Sequence, residues 1–467
     1  MSLRIRVYLP YHTEQDFMLI DRSLNATGLY RLFALTLSFV AASLSASSQA
    51  ANDSLLQDAT LPNVISYAMK RQTAIQQALI DQEITEQQIR SRLSEWYPQI
   101  NFNYVYQHNF QVQTSIIGGN VVQLGVTNTS GLQFTGTQTI FNRDVLLASR
   151  TKNTVRTQAL QQTTSTRIDV VANVSKAFYD VLATEQQINV ANTNIVRLER
   201  SLKDATAQYN AGVVDKTDYK RATIALNNAK ASLKIYQEGR IAKTEYLKSL
   251  INYPVNAPLQ IAYDSATLER DIPVDTLQAI DYNRRIEYQL LETQRRLLEA
   301  NVLYNKWSYI PTLNANGAYL RNFLNDKFSK LYNTAYPQSY AGLTLGFPIF
   351  QGGKRKYELK QAQLELKRTD LDLVALRNNV NAEYYTAIGN YKGNLANYLA
   401  VKENVSLAQE VYDVINLQYR SGIKTYLEVV FAESDLRTAQ INYYNALYQV
   451  LSSKIDVERA LGNINPQ

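Results

Sequence analysis

The chain contains no cysteine. Disulfides, thiolate metal sites, iron–sulfur clusters and a lipid anchor on an N-terminal cysteine are thereby excluded. Histidine is nearly absent as well. His12 and His108 are far apart in sequence, so neither a histidine zinc site nor a Ser-His-Asp triad is easy to assemble. No metal and no cofactor is expected, and enzymatic chemistry is improbable from the outset. No uninterrupted apolar run reaches about 18 residues, and mean hydropathy is -0.28, which argues against a bundle of membrane-spanning helices. Spanning by β-strands stays open, because each strand leaves a weaker mark. A polybasic run is missing too. Lys and Arg alternate with Asp and Glu along helical stretches, so the net charge of +7 reads as a solvated surface and not as a nucleic-acid partner.

What is present suffices for a folded chain: 467 residues, 45% of them hydrophobic, fit one large or two to three ordinary domains. Arg22 and Arg31 precede the apolar segment Leu32–Leu44, and small residues then lead to Ser48-Gln49-Ala50. This is the pattern of a signal peptide over residues 1–50, cleaved after Ala50. As a helix the apolar segment rises only about 20 Å, short of a roughly 30 Å hydrocarbon core, so an anchor left in place fits less well.

Sliding the sequence against itself brings up a period of about 210 residues, the size of a domain and not of a solenoid unit. Pro62, Ala68, Ile75, Leu79 and Trp96 fall on Pro273, Ala279, Ile286, Leu290 and Trp307. The run Pro98 to Tyr106 meets Pro311 to Tyr319, and Gln208, Tyr209, Gly212, Ala222, Leu226 and Ala229 meet Gln418, Tyr419, Gly422, Ala432, Leu436 and Ala439. The expected division is a first repeat at 51–252, a linker at 253–274 and a second repeat at 275–467. Each repeat reads helix, strand, strand, long helix, long helix. Opening helices are expected over Asn63–Glu95 and Asp275–Lys306, beside Pro62 and Pro273, whose missing N–H costs nothing at a helix start.

Strands are expected near 98–112, 130–141, 311–323 and 338–350. The first alternates Ile100, Phe102, Tyr104 and Tyr106 with Asn101, Asn103 and Gln107 on the other face, while Gly118-Gly119 marks a loop. Beyond Phe141 and Phe350 the pattern is helical up to Gly212 and Gly422, which amounts to about 100 Å of helix in each half. Helices of that length need coiled-coil partners. Val429, Ala432, Leu436, Ala439, Tyr443, Ala446, Val450, Ser453, Val457 and Ala460 step 3,4,3,4, and one seam position is always small, so antiparallel helices approach closely. A seven-residue ladder at Leu359, Leu366, Leu373, Val380 and Ala387 marks the preceding helix.

Four strands cannot close a barrel, and open edges cannot stand in lipid, where each unpaired N–H or C=O costs several kcal/mol. Several chains must therefore pool their strands. If three do so, twelve strands close one barrel and six long hairpins form a tube beneath it.

At this point the residues resemble the TolC-type outer-membrane efflux family over nearly all of positions 60–462. The carriers are Trp96-Tyr97-Pro98-Gln99-Ile100 and Tyr309-Ile310-Pro311-Thr312-Leu313 entering the first strand of each half, and Phe347 to Gly353 entering a long helix. Two turns, Tyr209 to Asp218 and Tyr419 to Glu428, complete the set. The resemblance implies a mainly α chain with a β-barrel portion, a homotrimer with a twelve-stranded outer-membrane barrel, a long periplasmic tunnel, and export together with a periplasmic adaptor and an inner-membrane pump. It implies a periplasmic tip at which Gly212 and Gly422 turn the chain, Asp218 and Glu428 are the acids six residues later, and Tyr419 and Lys424 join the closed-state polar network. Phe431 stands where a second pore acid is often found, and Lys424 where Arg is frequent. A turn glycine followed by an acid at a helix N-terminus also explains these residues without any gate.

Other functions have weaker support. An exported coiled-coil adaptor would be rich in heptads but need not repeat a Pro-led strand pair in both halves. The acids Glu428, Glu433 and Asp435 spread around a helix where a lytic pair would converge, and Gly352-Gly353-Lys354 lacks the first glycine of a phosphate loop.

Overall fold

Pro62 sits in the first turn of α1 (Leu61–Arg71), where no intrahelical N–H is needed. The computed structural model describes residues 56–465 apart from 57, 213, 214 and 264, so the expected signal peptide over 1–50 lies outside the described residues. The first opening helix is not continuous. Gln72 is extended, and its side chain accepts from the Ala74 N–H to start α2 (Thr73–Ser94). The second opening helix, α6 (Ile286–Lys306), begins well after the expected Asp275. The cause is turn chemistry: Asp275 accepts from Leu277 N–H at 2.9 Å and Asp281 from Asn283 N–H at 3.0 Å, and both offer the backbone an alternative to a helix. A short helix, α5 (Ser265–Arg270), lies in the segment expected as linker.

Two long helices set the scale: α3 (Arg143–Asn210) and α7 (Lys354–Arg420), each about 100 Å at 1.5 Å per residue. Each turns back into a helix of 36 residues, α4 (Lys216–Ile251) and α8 (Tyr426–Leu461). The return helix lines only the half of its partner nearest the turn; α2 and α6 line the other half. Glu86 of α2 takes a two-pronged hydrogen bond from Arg156 of α3 at 2.7 and 2.9 Å, and Arg295 of α6 donates to Asp370 of α7 at 2.7 Å. The α8 seam is buried at Val429, Ala432, Leu436, Ala446, Val450, Ser453, Val457 and Ala460, as its 3,4 spacing requires. On α7, Val380 and Ala387 are buried and the rest of the ladder is half-buried. A core around Phe178, Leu182, Leu247, Ile251, Tyr391 and Leu451 joins the two halves, and the Tyr391 hydroxyl donates to the Ile272 carbonyl at 2.8 Å.

The described strands number six, not four. Four form one antiparallel sheet in the order β1 (Gln99–His108), β4 (Asn128–Phe141), β5 (Thr312–Asn325), β6 (Ala335–Gly346). The other two, β2 (Thr114–Ile117) and β3 (Asn120–Gln123), make a separate hairpin where only a loop was expected. Gly118 and Gly119 hold φ of 61° and 88°, the positive values that a two-residue hairpin turn needs. The first strand stops at His108 instead of 112, and the last stops at Gly346 instead of 350, before Pro348, which has no N–H for a ladder.

The register sorts the side chains. Phe102 pairs with Phe134, Phe134 with Tyr319, and Tyr104 with Leu132, so these share a face with Ile100, Leu313, Leu343 and Leu345. The opposite face gathers Asn101, Asn103, Gln133, Thr135, Thr137, Asn314, Asn316 and Thr344. The first face is mainly apolar and aromatic, with Arg321 among its residues; the second is mainly amides and hydroxyls, with Val105, Leu320 and Tyr340 among its residues. The outer edges of β1 and β6 have no strand beside them among the described residues. No described helix is long and apolar enough to cross a membrane.

Candidate functional site

The two turns between long helices lie at the end of the molecule remote from the sheet. At the first, α3 closes with Gly212 at φ 73°, its N–H bonded to the Tyr209 carbonyl at 2.9 Å. At the second, Gly422 holds φ 75°, and the Ile423 N–H reaches back to the Gln418 carbonyl at 2.9 Å, so the last carbonyls of α7 are satisfied. A Cβ on either glycine would meet nothing within 4 Å, so glycine is needed for its φ and not for space.

Each return helix begins with a polar cap. Asp215 accepts from the Thr217 N–H and hydroxyl at 3.0 Å, and the backbone bond to Thr217 is the main reason its carboxyl titrates below the ordinary range. Glu428 accepts from Lys424 Nζ at 2.6 Å, the Thr425 N–H at 2.9 Å and the Thr425 hydroxyl at 3.0 Å. The Lys424 hydrogen bond first, then the Thr425 N–H, lowers its carboxyl to about 2. Glu428 and Lys424 are thus partners within one hairpin and hold the start of α8.

Close to the turns, Tyr419 makes a bond between hairpins. Its hydroxyl, on the last turn of α7, donates to Gln208 Oε1 on the last turn of α3 at 2.9 Å. Its ring lies 5.9 Å from that of Tyr426, which is buried against Ala205 and Ala222. Burial raises the titration of both hydroxyls, and the Asp218 charge raises each further. Asp218 acts on both tyrosines through its charge alone, with no hydrogen bond to either among the described residues. Lys424 and Glu428 form a local pair, and neither has a hydrogen bond to Tyr419 or Asp218 among the described residues. Gln208 and Tyr426 were not singled out by the sequence. The one signal for Gln208 was its match to Gln418 across the repeat; nothing local marks Tyr426. Phe431 and Ile423 are exposed.

Of the acids noted as a catalytic alternative, Glu433 is buried, Glu428 half-buried and Asp435 exposed. No group of three or more metal-ligating His, Asp or Glu side chains occurs among the described residues.

Comparison with known proteins fits this architecture. The family described as "Outer membrane efflux protein" matches residues 64–252 and 284–463. The chain is 23% identical to the outer membrane protein TolC of Escherichia coli (strain K12) over 432 residues, covering 89% of this chain and 84% of that protein. It is 24% identical to the probable efflux pump outer membrane protein TtgC of Pseudomonas putida over 308 residues, or 64% of this chain and 61% of that one. Among solved structures, the open state of the Neisseria gonorrhoeae MtrE outer membrane channel superposes with a TM-score of 0.68 at 19% identity, covering 86% of this chain and 88% of that chain.

Proposed function

Because the chain belongs to the outer membrane efflux protein family, we propose that three copies join their sheets edge to edge into one barrel that opens into a tunnel of helices. The chain is an outer-membrane efflux channel. The observation that carries the trimeric reading is a four-stranded amphipathic sheet with two free edges. In lipid those edges require partners, and three sheets of four strands supply twelve. The apolar face with Phe102 and Phe134 then meets lipid, and the amide face with Asn103 and Gln133 lines the lumen.

Engineered disulfides test the closure, and the absence of native cysteine makes them unambiguous. Within one chain β1 and β6 are separated by two strands, about 14 Å across the sheet, beyond the reach of a disulfide. Cysteine pairs scanned along Asn101 and Asn103 on β1 and Gln338 and Gly342 on β6 should yield covalent dimers and trimers. Failure of every pair to link chains contradicts the edge-to-edge barrel.

The tip carries the partner reading. A periplasmic adaptor docks on the exposed outer surface of the hairpin ends and connects the tunnel to an inner-membrane pump. Gly212, Asp218, Tyr419, Gly422, Lys424 and Glu428 form the gate region, with the Tyr419–Gln208 bond as its cross-hairpin contact. Membership of an efflux family supports transport and not catalysis as the role of the chain. An adaptor without a channel is disfavoured by the amphipathic sheet. Export also predicts processing: intact mass of protein from outer membranes should show a chain starting near Ala51, and retention of residues 1–50 contradicts it.

A further inference from the structure

Away from the turns, the two hairpins meet at a buried polar cluster that the tip gate does not use. Glu433 on α8 has a side chain only 4% exposed, between the seam residues Ala432 and Leu436. Its Oε1 faces Arg197 Nε of α3 at 3.6 Å, an ion pair too long for a hydrogen bond. Glu433 Oε1, Arg197 Nε and Nη2, Asn194 Oδ1 and the Tyr426 hydroxyl are all buried without a hydrogen-bond partner. Tyr412 of α7 lies beneath the Arg197 guanidinium, with the ring centroid at 5.6 Å. Three helices thus enclose one carboxyl and one guanidinium, and several of their polar atoms go unsatisfied. Such a cluster is costly as a purely structural device, because desolvation of both ions is only partly offset by their attraction.

We propose that Glu433 and Arg197 are positioning residues of a proton-operated latch that holds the α3–α4 and α7–α8 hairpins together about 15–20 Å inside the tip. The inference rests on the tip being the gate of the tunnel. A protonated Glu433 fits the buried site; an ionised one favours separation of α8 from α3 and entry of water.

The groups that face Glu433 are Arg197 from α3, Tyr412 from α7, and Arg437 and Tyr426 from its own helix, with Asp413 and Arg420 acting on Tyr412. Burial is the largest influence and raises the Glu433 carboxyl to about 7, against a smaller lowering by Arg197 and Arg437. When the hairpins part and the carboxyl is hydrated, it returns toward its ordinary value of 4.5. The closed packing therefore binds a proton that the open one lacks between those values. Its stability is present at low pH and is lost as pH rises through about 7. The tip cap does not titrate in this window, since Glu428 is held down to about 2.

Single-channel conductance of the trimer in planar bilayers, recorded from pH 5.5 to 8.5, tests the latch. Wild type should open with a midpoint near pH 7, and Glu433→Gln should lose that transition and stay at the low-pH conductance. Arg197→Gln removes the cation and should move the midpoint to higher pH, as should Arg437→Gln to a lesser extent. These two keep the test alive if Glu433→Gln fails to assemble. Asp435→Asn, on an exposed neighbour, should keep the wild-type profile. A wild-type transition retained in Glu433→Gln, or a midpoint unmoved in both arginine variants, overturns the latch. Tyr419→Phe with Lys424→Ser in the same bilayers separates the two readings: no effect of that pair removes the Tyr419–Gln208 contact from the gate, whereas the Glu433→Gln profile alone decides the latch.

Discussion

Arginine at Phe102 destabilises the assembled barrel by about 2–4 kcal/mol, whereas arginine at Asn103 has far less effect. The two positions are adjacent on β1 and point to opposite faces. Phe102 sits opposite Phe134, with ring centroids 4.8 Å apart, on the face that carries Leu132, Tyr319 and Leu343. A guanidinium there must enter hydrocarbon and also loses an aromatic pair. Asn103 sits opposite Gln133 on the amide-lined face, where a charge remains in water. Denaturant unfolding in lipid vesicles, or the temperature at which the oligomer dissociates, should rank wild type and Asn103→Arg together and Phe102→Arg well below. Equal tolerance at both positions would contradict the assignment of faces.

Tyr419→Phe, and more so its combination with Lys424→Ser, raises conductance at a fixed salt concentration. The Tyr419 hydroxyl supplies, among the described residues, the hydrogen bond at the tip that runs from one hairpin to the other, and its phenol is half-buried. A net contribution of about 1 kcal/mol per copy, summed over three copies, amounts to about 3 kcal/mol, or roughly a hundredfold change in the ratio of closed to open channels. Lys424 acts differently. Its partner Glu428 belongs to the same hairpin, so Lys424→Ser alone loosens the start of α8 and should open the channel less. Ordinary turn chemistry predicts a small loss of stability and unchanged conductance for both.

The parts of this molecule set by local period were legible in the sequence. The α8 seam from Val429 to Ala460 is buried where the 3,4 spacing placed it, and β1 alternates as Ile100 to Tyr106 does. Both turn glycines adopt the left-handed φ expected after a helix. Features that depend on competition or on distant neighbours were not legible. Asp275 and Asp281 diverted a helical pattern into turns, and only the hydrogen bonds reveal it. The β2–β3 hairpin is four residues per strand, too short for alternation to stand out from a loop. At the tip, the pairing of Tyr419 with Gln208 depends on the axial register of α7 against α3, which no local pattern encodes. The burial of Glu433 was not legible either, because the heptad identifies one neighbour of α8, namely α7. A second neighbour, α3, closes over the other side and buries it.

Native mass spectrometry of the detergent-solubilised protein tests the central claim most directly, that separate four-stranded sheets pool into a closed barrel. The expected species is three mature chains, with no folded monomer surviving removal of detergent. A stable, soluble, folded single chain, or an assembly of any number other than three, would contradict it.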